Sequence, residues 1–343
     1  MIPRGQKAVT LKDIAEKTGY SINTVSHALK DKTDISEKTR ELIKKVADEM
    51  GYIVNASASS LRSGVSKIIA IILGDISNPF FSILVRDIEV YLKEQGYVSF
   101  ILNTNEDEEI ERKAIIAALS KNVDGIMICP TPKGEKNIEF LKQRNTPFVL
   151  LGRRFAGIDA NYVVWDEITG GYEVTKCLLR NGHRKIMFLS GPKQVAKERL
   201  MGYQKALAEY GVPYEESLVK SIPILMAEGR RVEKAVSDLN GATAIVAFSD
   251  MIAWEVIYCL QKRGLSVPED VSVVGFDNIQ AKYRFPVQLT TITTSRSSMA
   301  REASDILLRK LNRAEKGVEK LVLDVKLVSR ESVKNISSKN KAH

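Results

Sequence analysis

A short segment near the start of the chain carries side chains of the types that hydrogen-bond to the edges of DNA bases. On a predicted helix its outer face would present the apolar side chain of Ile22, the amide of Asn23, the imidazole of His27 and the cation of Lys30. An amide can make paired hydrogen bonds to adenine, and the other types also occur where a helix reads a major groove. The candidate DNA contacts here are Thr10, Ser21, Ile22, Asn23, Thr24, Ser26, His27 and Lys30.

Two short helices joined by a tight turn are predicted to position these side chains. Thr10 and Asp13 form a capping-box pattern, and Gly19 tolerates the positive φ of a sharp corner. Ser21 can cap the second helix. The inner faces, from apolar spacings of three and four, are predicted to hold Leu11, Ile14, Ala15, Val25, Ala28 and Leu29. Taken alone, this pattern favours an ordinary helical hairpin over a helix-turn-helix.

A third amphipathic helix over residues 36–50 changes that interpretation, because three helices can enclose a minimal core. Ser36 is its predicted cap and Gly51 its stop. Its buried stripe is predicted to consist of Leu42, Ile43, Val46, Ala47 and Met50. Residues 52–64 are then small and polar except for Leu61, and they contain too little apolar surface to fold alone.

The order and spacing of several motifs resemble the opening of a lactose-repressor (LacI) family transcription regulator. The matching residues are 9–15, 24–26, 38–40, 51–52, 55 and 58–61, and the similarity continues to about residue 332. The resemblance implies that residues 55–62 become a hinge helix only on operator DNA, with Leu61 wedged into the minor groove. It adds Asn55, Ala58, Leu61 and Arg62 to the candidate DNA contacts. The alternative is a flexible linker with one stray leucine.

The reading helix departs from the family at one position. Many members carry arginine after the Thr-Val-Ser run, which suits guanine, whereas this chain has His27. A histidine donates fewer hydrogen bonds and can titrate near neutrality. The operator sequence therefore does not carry over from relatives.

Composition bounds the class of protein. A chain of 343 residues with 44% hydrophobic content predicts two or three globular domains. The formal net charge is +9, but residues 1–66 hold only 11 Lys and Arg against 8 Asp and Glu. The positive balance favours encounter with nucleic acid, and it fits mere solubility equally well.

Other sequence features exclude several classes. The cysteines Cys129, Cys177 and Cys259 are far apart and in apolar settings, so they predict buried thiols rather than a zinc site or disulfides. Neither a cleavable signal nor an apolar run of about 18 residues is found, which predicts a cytoplasmic protein with no membrane span. With only three histidines and no phosphate-binding glycine loop, we expect no enzyme, no cofactor and no metal. An exported solute-binding protein would have no use for residues 1–64.

From Lys67 onward strands alternate with helices, which is typical of an α/β domain. The predicted strands are residues 68–73, 98–102, 125–129, 148–151, 185–189, 244–248 and 271–276. Continuous apolar runs indicate parallel strands covered on both faces. Seven such strands in more than 250 residues favour two similar lobes over one sheet.

Polar residues follow most of these strands, where open parallel sheets bind their ligands. Carboxylates, amides and guanidinium groups can pair with vicinal hydroxyls, and aromatic rings can cover an apolar sugar face. The candidate effector-binding residues are Asp75, Asn78, Phe80, Phe81, Arg153, Arg199, Asp250 and Asp277, of which the resemblance favours Arg199 and Asp277 most directly. A polyol or carbohydrate would fit. For each single residue, a helix cap at a strand-to-helix turn is the alternative.

The resemblance implies an all-α helix-turn-helix head (residues 1–53), a hinge (54–66), an α/β periplasmic-binding-protein-like effector domain of two lobes with parallel sheets (67–332), and a polar basic tail (333–343). The chain would cross between the lobes near residues 162, 290 and 320 and return to the first lobe for residues 296–311. The tail has no leucine heptads, so a tetramer is not expected. His183 is expected to shape a turn. Trp254 replaces the family's usual glycine and would alter either the cleft or a subunit contact.

The implied function is a DNA-binding regulator, most simply a repressor, controlled by a sugar or sugar derivative between the lobes. One reading helix cannot select a site among about 10⁶ or more competitors, so a homodimer on a pseudo-palindromic operator is expected. An alternative is a regulator of global range whose corepressor is a phosphocarrier protein.

Overall fold

A computed structural model describes residues 9–53, 64–144, 146–191, 193–222, 229–282, 285–312 and 317–337. The chain divides into two compact units, Met1–Ser66 and Lys67–His343. The first is termed the helical unit and the second the α/β unit.

Within residues 9–53, the helical unit contains the helices α1 (Leu11–Thr18), α2 (Ile22–Ala28) and α3 (Glu37–Glu49). The predicted caps are confirmed: Thr10 and Asp13 form a capping box, and Ser21 and Ser36 each accept a hydrogen bond from the third residue after them. Gly19 ends α1 in the left-handed conformation, with φ of 74°. The core consists of Ile14, Ala15, Val25, Ala28, Ile43 and Ala47.

The prediction that Leu42 is buried was wrong. Its side chain is 46% exposed, whereas Ile43 is fully buried. At about 100° per residue, Ile43 and Ala47 define the centre of the buried stripe of α3, and Leu42 lies beyond its edge. Two short partner helices cannot cover a stripe wide enough to include it.

The α/β unit alternates strands and helices along the chain. The strands are β1 (Ile68–Leu73), β2 (Val98–Asn103), β3 (Gly125–Ile128), β4 (Phe148–Leu151), β5 (Tyr162–Trp165), β6 (Ile186–Ser190), β7 (Val219–Ser221), β8 (Ala244–Val246), β9 (Ser272–Phe276), β10 (Thr290–Thr294), β11 (Lys320–Leu323) and β12 (Val325–Val328). The helices are α4 (Pro79–Glu94), α5 (Glu108–Ser120), α6 (Glu135–Lys142), α7 (Glu167–Arg180), α8 (Lys193–Glu209), α9 (Gly229–Val236), α10 (Asp250–Lys262) and α11 (Arg296–Leu311). Two short 3-10 helices span Glu216–Leu218 and Ile279–Lys282.

These strands form two six-stranded sheets, each the centre of one lobe. The first lobe has the order β11-β5-β4-β3-β1-β2, with every neighbouring pair parallel. The second has the order β12-β10-β9-β8-β6-β7, parallel except where β12 runs antiparallel to β10. Apolar clusters lie on both faces of each sheet, which explains the continuous apolar runs in the sequence.

The chain passes between the lobes three times, after β5, after β10 and after β11. The connecting residues are Asp166, Ser295 and Asp324, a few residues after the expected positions 162, 290 and 320. Helix α11 therefore packs in the first lobe, as expected, with Met299, Ala303 and Leu307 in its core.

All seven predicted strands are present, and their ends differ from the prediction by at most two residues. Five further strands, β5, β7, β10, β11 and β12, were missed. They are three to five residues long, and β7, β10, β11 and β12 contain polar or charged residues that interrupt any apolar run. β5 is as long and as apolar as β4, so the same rule could have found it. In the sheets, β5, β7 and β10 pair with predicted strands, and β11 and β12 pair with β5 and β10.

None of the helices in the described ranges combines the length and the apolar character that crossing a membrane would require.

Candidate functional site

Helix α2 presents its candidate reading face outward. Ile22 is 49% exposed, and Asn23 and Lys30 are exposed as well, whereas Ser26 and His27 are half-buried. The opposite face of the helix holds Val25 and Ala28, both fully buried, so the helix cannot turn its polar side inward. This face can reach base edges if α2 enters a groove.

Three of the expected DNA contacts hold the helix ends instead of pointing from the reading face. Thr10 caps α1 through Asp13. The Ser21 hydroxyl accepts from the Thr24 N–H at 3.1 Å and lies 2.8 Å from the Thr24 hydroxyl. Backbone and hydroxyl groups at a helix N-terminus also suit a phosphate oxygen, so these residues fit positioning on the duplex better than base reading.

The ring of His27 is oriented by a carboxylate. Its Nδ1 lies 2.6 Å from Oδ2 of Asp34, in the loop that joins α2 to α3. A neutral ring that donates from Nδ1 has Nε2 as an acceptor, and a protonated ring has Nε2 as a donor. Asp34 thus fixes which ring nitrogen can meet a base. The hinge candidates Asn55, Ala58, Leu61 and Arg62 lie outside the described residues.

The α/β unit encloses a cavity where the carboxyl ends of the strands of the two lobes face each other. Its volume is about 80 Å³. The lining residues are Asn78, Phe80, Phe81, Glu106, Cys129, Gly152, Arg153 and Trp165 from the first lobe and Glu167, Val195, Arg199, Phe248, Ser249 and Asp277 from the second. A water molecule needs about 10–15 Å³ of such space. The cavity therefore has room for several water molecules.

Aromatic rings form one wall of the cavity. Phe80 and Phe81 meet edge to face at 5.1 Å between centroids, and Phe80 meets Trp165 at 5.4 Å. Asn78 caps α4 by accepting from the Phe80 N–H at 3.0 Å, which fixes the turn that brings these rings to the end of β1. Flat apolar surface beside hydrogen-bonding groups is the composition of a sugar site.

Arg153 is held by a buried carboxylate. Its two Nη atoms donate to both Oε atoms of Glu106, at 2.7 and 3.1 Å, and Nη1 also donates to the Pro130 carbonyl at 2.8 Å. This fork-to-fork pair fixes the guanidinium plane at the cavity wall.

Arg199 is held in the same way from the second lobe. Its Nε donates to Oε2 of Glu167 at 2.6 Å, and its Nη1 donates to the Phe248 carbonyl. The guanidinium lies between the rings of Phe248 and Phe276, at 4.5 and 4.0 Å from their centroids. Its Nη2 makes no hydrogen bond to any described residue and can donate to a ligand.

Asp277 is the acceptor that the second lobe offers. It is 7% exposed, and its backbone has a φ of 101°, a conformation fixed from both sides. Its N–H donates to the Ile292 carbonyl at 2.9 Å, and Arg296 donates to its carbonyl. Across the described ranges, no group donates a hydrogen bond to its carboxylate. Burial raises the pKa of that carboxyl to about 6, against the lowering effect of Arg199 and Arg296.

Two of the expected effector residues lie elsewhere. Asp75 accepts from the N–H and hydroxyl of Ser77 and closes the turn after β1. Asp250 is fully buried and accepts from the Ile279 N–H at 2.8 Å and the Thr291 hydroxyl at 2.6 Å, and burial raises its pKa to about 8. Neither is the helix cap weighed as the alternative, because Asn78 caps α4 and Ser249 caps α10, and Asp250 instead links α10 to the second 3-10 helix and to β10.

Trp254 and His183 have packing roles. The Trp254 ring stacks on Phe285 at 3.9 Å and packs against the second-lobe core, so it does not line the cavity. His183 is buried with Nδ1 2.8 Å from the Thr243 hydroxyl and Nε2 3.1 Å from the Lys334 carbonyl, and burial lowers its pKa. The ring of His183 therefore links the segment between α7 and β6 to Thr243 and Lys334.

All three cysteines are free and buried, as predicted. Cys129 lines the cavity, and burial raises the pKa of its thiol to about 12, so it contributes an inert, uncharged surface. Within the part of the chain that the structure describes, no cluster of His, Cys, Asp and Glu is placed to hold a metal ion.

Sequence reasoning missed several cavity residues. They are Glu106, Cys129, Gly152, Trp165, Glu167, Val195, Phe248 and Ser249. Trp165 is the last residue of β5 and Glu167 the first residue of α7, and β5 itself was not predicted, so nothing marked either residue as lying at a strand end. Phe248 and Ser249 lie two and three residues after the end of β8, where the strand-end rule selected only their neighbour Asp250. Glu106 lies three residues after the end of β2, where the same rule could have selected it.

Comparisons with known proteins match both units. The family described as "Bacterial regulatory proteins, lacI family" matches residues 10–55, and "Periplasmic binding proteins and sugar binding domain of LacI family" matches residues 66–331. The HTH-type transcriptional regulator DegA of Bacillus subtilis (strain 168) is 32% identical over 335 residues, covering 96% of this chain and 99% of that protein.

Two solved structures of transcription regulators are also similar to this chain. A lac repressor dimer bound to operator and the anti-inducer ONPF superposes with a TM-score of 0.83 at 25% identity, covering 96% of this chain and 100% of that one. A LacI family regulator from Enterococcus faecium with bound ribose has a TM-score of 0.69 at 29% identity, covering 78% of this chain and 99% of that one.

Proposed function

The chain belongs to the LacI family of bacterial regulatory proteins, and on that premise we propose that it represses transcription by binding a DNA operator under the control of a small-molecule effector. The observation that carries the proposal is the presence, in one chain, of a capped helix with an exposed polar face and a polar, aromatic-walled cavity between two lobes. Members of this family are DNA-binding regulators and not enzymes.

The helical unit supplies the operator contacts in this proposal. Ile22, Asn23, Ser26, His27 and Lys30 meet base edges, while Thr10, Ser21 and Thr24 position the helix on the backbone. Asn55, Ala58, Leu61 and Arg62 act in a hinge that orders on DNA, with Leu61 as the minor-groove wedge. Because bacterial DNA lies in the cytoplasm, we place the protein there.

The cavity supplies the effector site. Asp277 accepts from ligand hydroxyls, Nη2 of Arg199 donates to a ring or hydroxyl oxygen, and Asn78, Phe80, Phe81 and Arg153 shape the first-lobe wall. A small carbohydrate or sugar derivative satisfies these groups. The Enterococcus faecium neighbour contains ribose, which supports a ligand of that size.

Regulation requires two copies. One α2 helix contacts too few base pairs to select a site in a genome, so we propose a homodimer on a pseudo-palindromic operator. The lac repressor neighbour is a dimer bound to operator, which supports this assembly. Effector binding changes the angle between the lobes, and a coupling of about 1–3 kcal/mol suffices to regulate operator affinity.

The test is selection of bound sequences from a randomised duplex pool, with and without a panel of sugars. We expect one enriched pseudo-palindrome, and a sugar that changes operator affinity by roughly 5- to 150-fold. A duplex of unrelated sequence is the control for nonspecific binding. The operator must change the affinity for that sugar by the same factor. No enrichment under any condition would refute the proposal.

A further inference from the structure

Both guanidinium groups of the cavity are already neutralised by carboxylates of the protein. Arg153 is paired with Glu106 and Arg199 with Glu167, with closest N–O distances of 2.7 and 2.6 Å. All four side chains are at least 88% buried, so neither pair exchanges freely with water. Arginine in a ligand cavity normally suggests an anionic ligand, because its fork of donors fits phosphate and carboxylate. Here Glu106 occupies the fork of Arg153, while Glu167 holds Arg199 through Nε and leaves Nη2 without a partner among the described residues.

The charges that line the cavity sum to a negative value. Two guanidinium groups face three carboxylates, those of Glu106, Glu167 and Asp277. Beside the cavity, Arg154 lies 3.5 Å from Glu198 and adds no net charge. Arg296 lies behind Asp277 and donates to its backbone carbonyl. Among the described residues, an anion in the cavity would therefore meet the Asp277 carboxylate, with Arg296 buried behind it, and one available guanidinium donor, Nη2 of Arg199.

A ligand phosphate could take the paired donors of Arg153 or Arg199 only by displacing a glutamate; otherwise it meets a single guanidinium donor, Nη2 of Arg199. The displaced carboxylate would remain buried and unpaired beside the new anion, which is unfavourable in a poorly solvated site. A hydroxyl ligand meets no such obstacle. It can donate to the Asp277 carboxylate and accept from Nη2 of Arg199 while both ion pairs stay intact.

We infer that Glu106 and Glu167 are specificity-determining residues that make the cavity select small uncharged polyhydroxy compounds and reject phosphate esters and other anions. This inference rests on the proposed function, because it refines the ligand class of the same cavity. Asp277, Arg199 and the aromatic wall bind the sugar, and the two glutamates exclude its phosphorylated form.

The first test is titration of the wild-type protein near neutral pH. Inorganic phosphate, ribose 5-phosphate and glucose 6-phosphate are compared with ribose and glucose, by calorimetry and by the shift in unfolding temperature. We expect no saturable binding of the three phosphate compounds. Tighter binding of any of them than of its parent sugar, or saturable binding of inorganic phosphate, would overturn the inference.

The second test is a gain of function. The double variant Glu106→Gln/Glu167→Gln keeps the side-chain shapes but releases both guanidinium groups, so inorganic phosphate should bind at least about tenfold more tightly than to wild type. Glu319→Gln is the matched control, since Glu319 pairs with Arg309 away from the cavity and its loss should give no gain. A folded double variant with no gain in phosphate affinity contradicts the inference.

These tests separate the inference from the proposed function. If the double variant does not fold, the single variants Glu106→Gln and Glu167→Gln and the wild-type titration decide the question. If no neutral sugar changes operator affinity, the proposed control by sugars fails. The phosphate titrations still measure the charge selectivity of the cavity, because they do not depend on operator binding.

Discussion

The helical unit and the α/β unit place their candidate functional side chains in opposite environments. On α2 the reading residues stand outside a core to which they contribute little, with Ile22 and Asn23 exposed and Val25 buried. In the cavity, Arg199 and Asp277 are themselves buried and paired with, or held by, other buried groups. Substitution of an exposed residue on α2 can therefore change DNA specificity with little loss of stability. Substitution of a buried cavity residue cannot.

The difference follows from desolvation. An exposed side chain that loses its partner regains water, but a buried charge that loses its partner stays unsolvated. In the helical unit, substitutions should thus alter DNA binding without altering the free energy of unfolding. In the cavity, substitutions that alter ligand binding should also lower the free energy of unfolding. Substitutions in the two units test this contrast.

Arg199→Ala should have the largest effect. It leaves Glu167 buried without its guanidinium and leaves the Phe248 carbonyl without its donor, so the free energy of unfolding should fall by about 3–5 kcal/mol. Urea denaturation measures this loss. Arg309→Ala is the matched control, because the more exposed Arg309–Glu319 pair should contribute about 1 kcal/mol or less. Equal losses of unfolding free energy in the two variants would contradict the proposed difference between buried and exposed sites.

Asn23→Ala should change specificity without changing stability. We expect base preference at one half-site position to relax by about 1–3 kcal/mol. Because Asn23 is exposed, the free energy of unfolding should change by no more than about 0.5 kcal/mol. Affinities for a set of operator variants measure the first quantity. Uniform weakening across all variants would instead make Asn23 a phosphate contact.

Effector affinity should depend on pH through Asp277. Burial raises its pKa to about 6, and the ionised carboxylate is the form that accepts from two ligand hydroxyls. Affinity should be fully present above about pH 7, where the carboxyl is ionised, and should fall as pH drops through 6, by up to about tenfold per pH unit. The effect on the free protein has the opposite sign, since a raised carboxyl pKa means that stability falls as pH rises toward 6.

Calorimetric titration with the identified sugar across this range checks the prediction, with Asp277→Asn as the comparison. The variant should bind weakly and show no pH dependence near 6. A wild-type profile that stays flat through this range would remove Asp277 from direct contact with the ligand.

What the sequence predicted well was local. Caps such as Thr10 and Ser21 act within four residues of themselves, and the long apolar runs of β1 and β4 were placed to the residue. Such signals are complete within a short window, because the partner of each group is close in the chain.

The cavity was predictable only in part, because its residues come from many strand ends that meet in three dimensions. Six of the eight expected residues line it, but Asp75 closes a local turn and Asp250 is buried against the Ile279 N–H and the Thr291 hydroxyl. Glu106 is 47 residues from its partner Arg153, and Glu167 is 32 from Arg199. No local pattern joins residues so far apart, so the charge balance of the cavity was visible only in the structure.

The adjacent residues Leu42 and Ile43 test the contrast between exposed and buried side chains within one helix. Both are large aliphatic residues of α3, but Leu42 is 46% exposed and Ile43 is fully buried. Leu42→Ala should therefore lower the stability of the helical unit by no more than about 0.5 kcal/mol. Ile43→Ala, the matched control, should cost about 2–5 kcal/mol because it opens a cavity in a core of six residues. Thermal unfolding of both variants measures the difference. A large loss for Leu42→Ala would mean that its side chain is covered in the intact protein. The surface around Leu42 on α3 would then be a second contact surface of the helical unit, in addition to the outer face of α2.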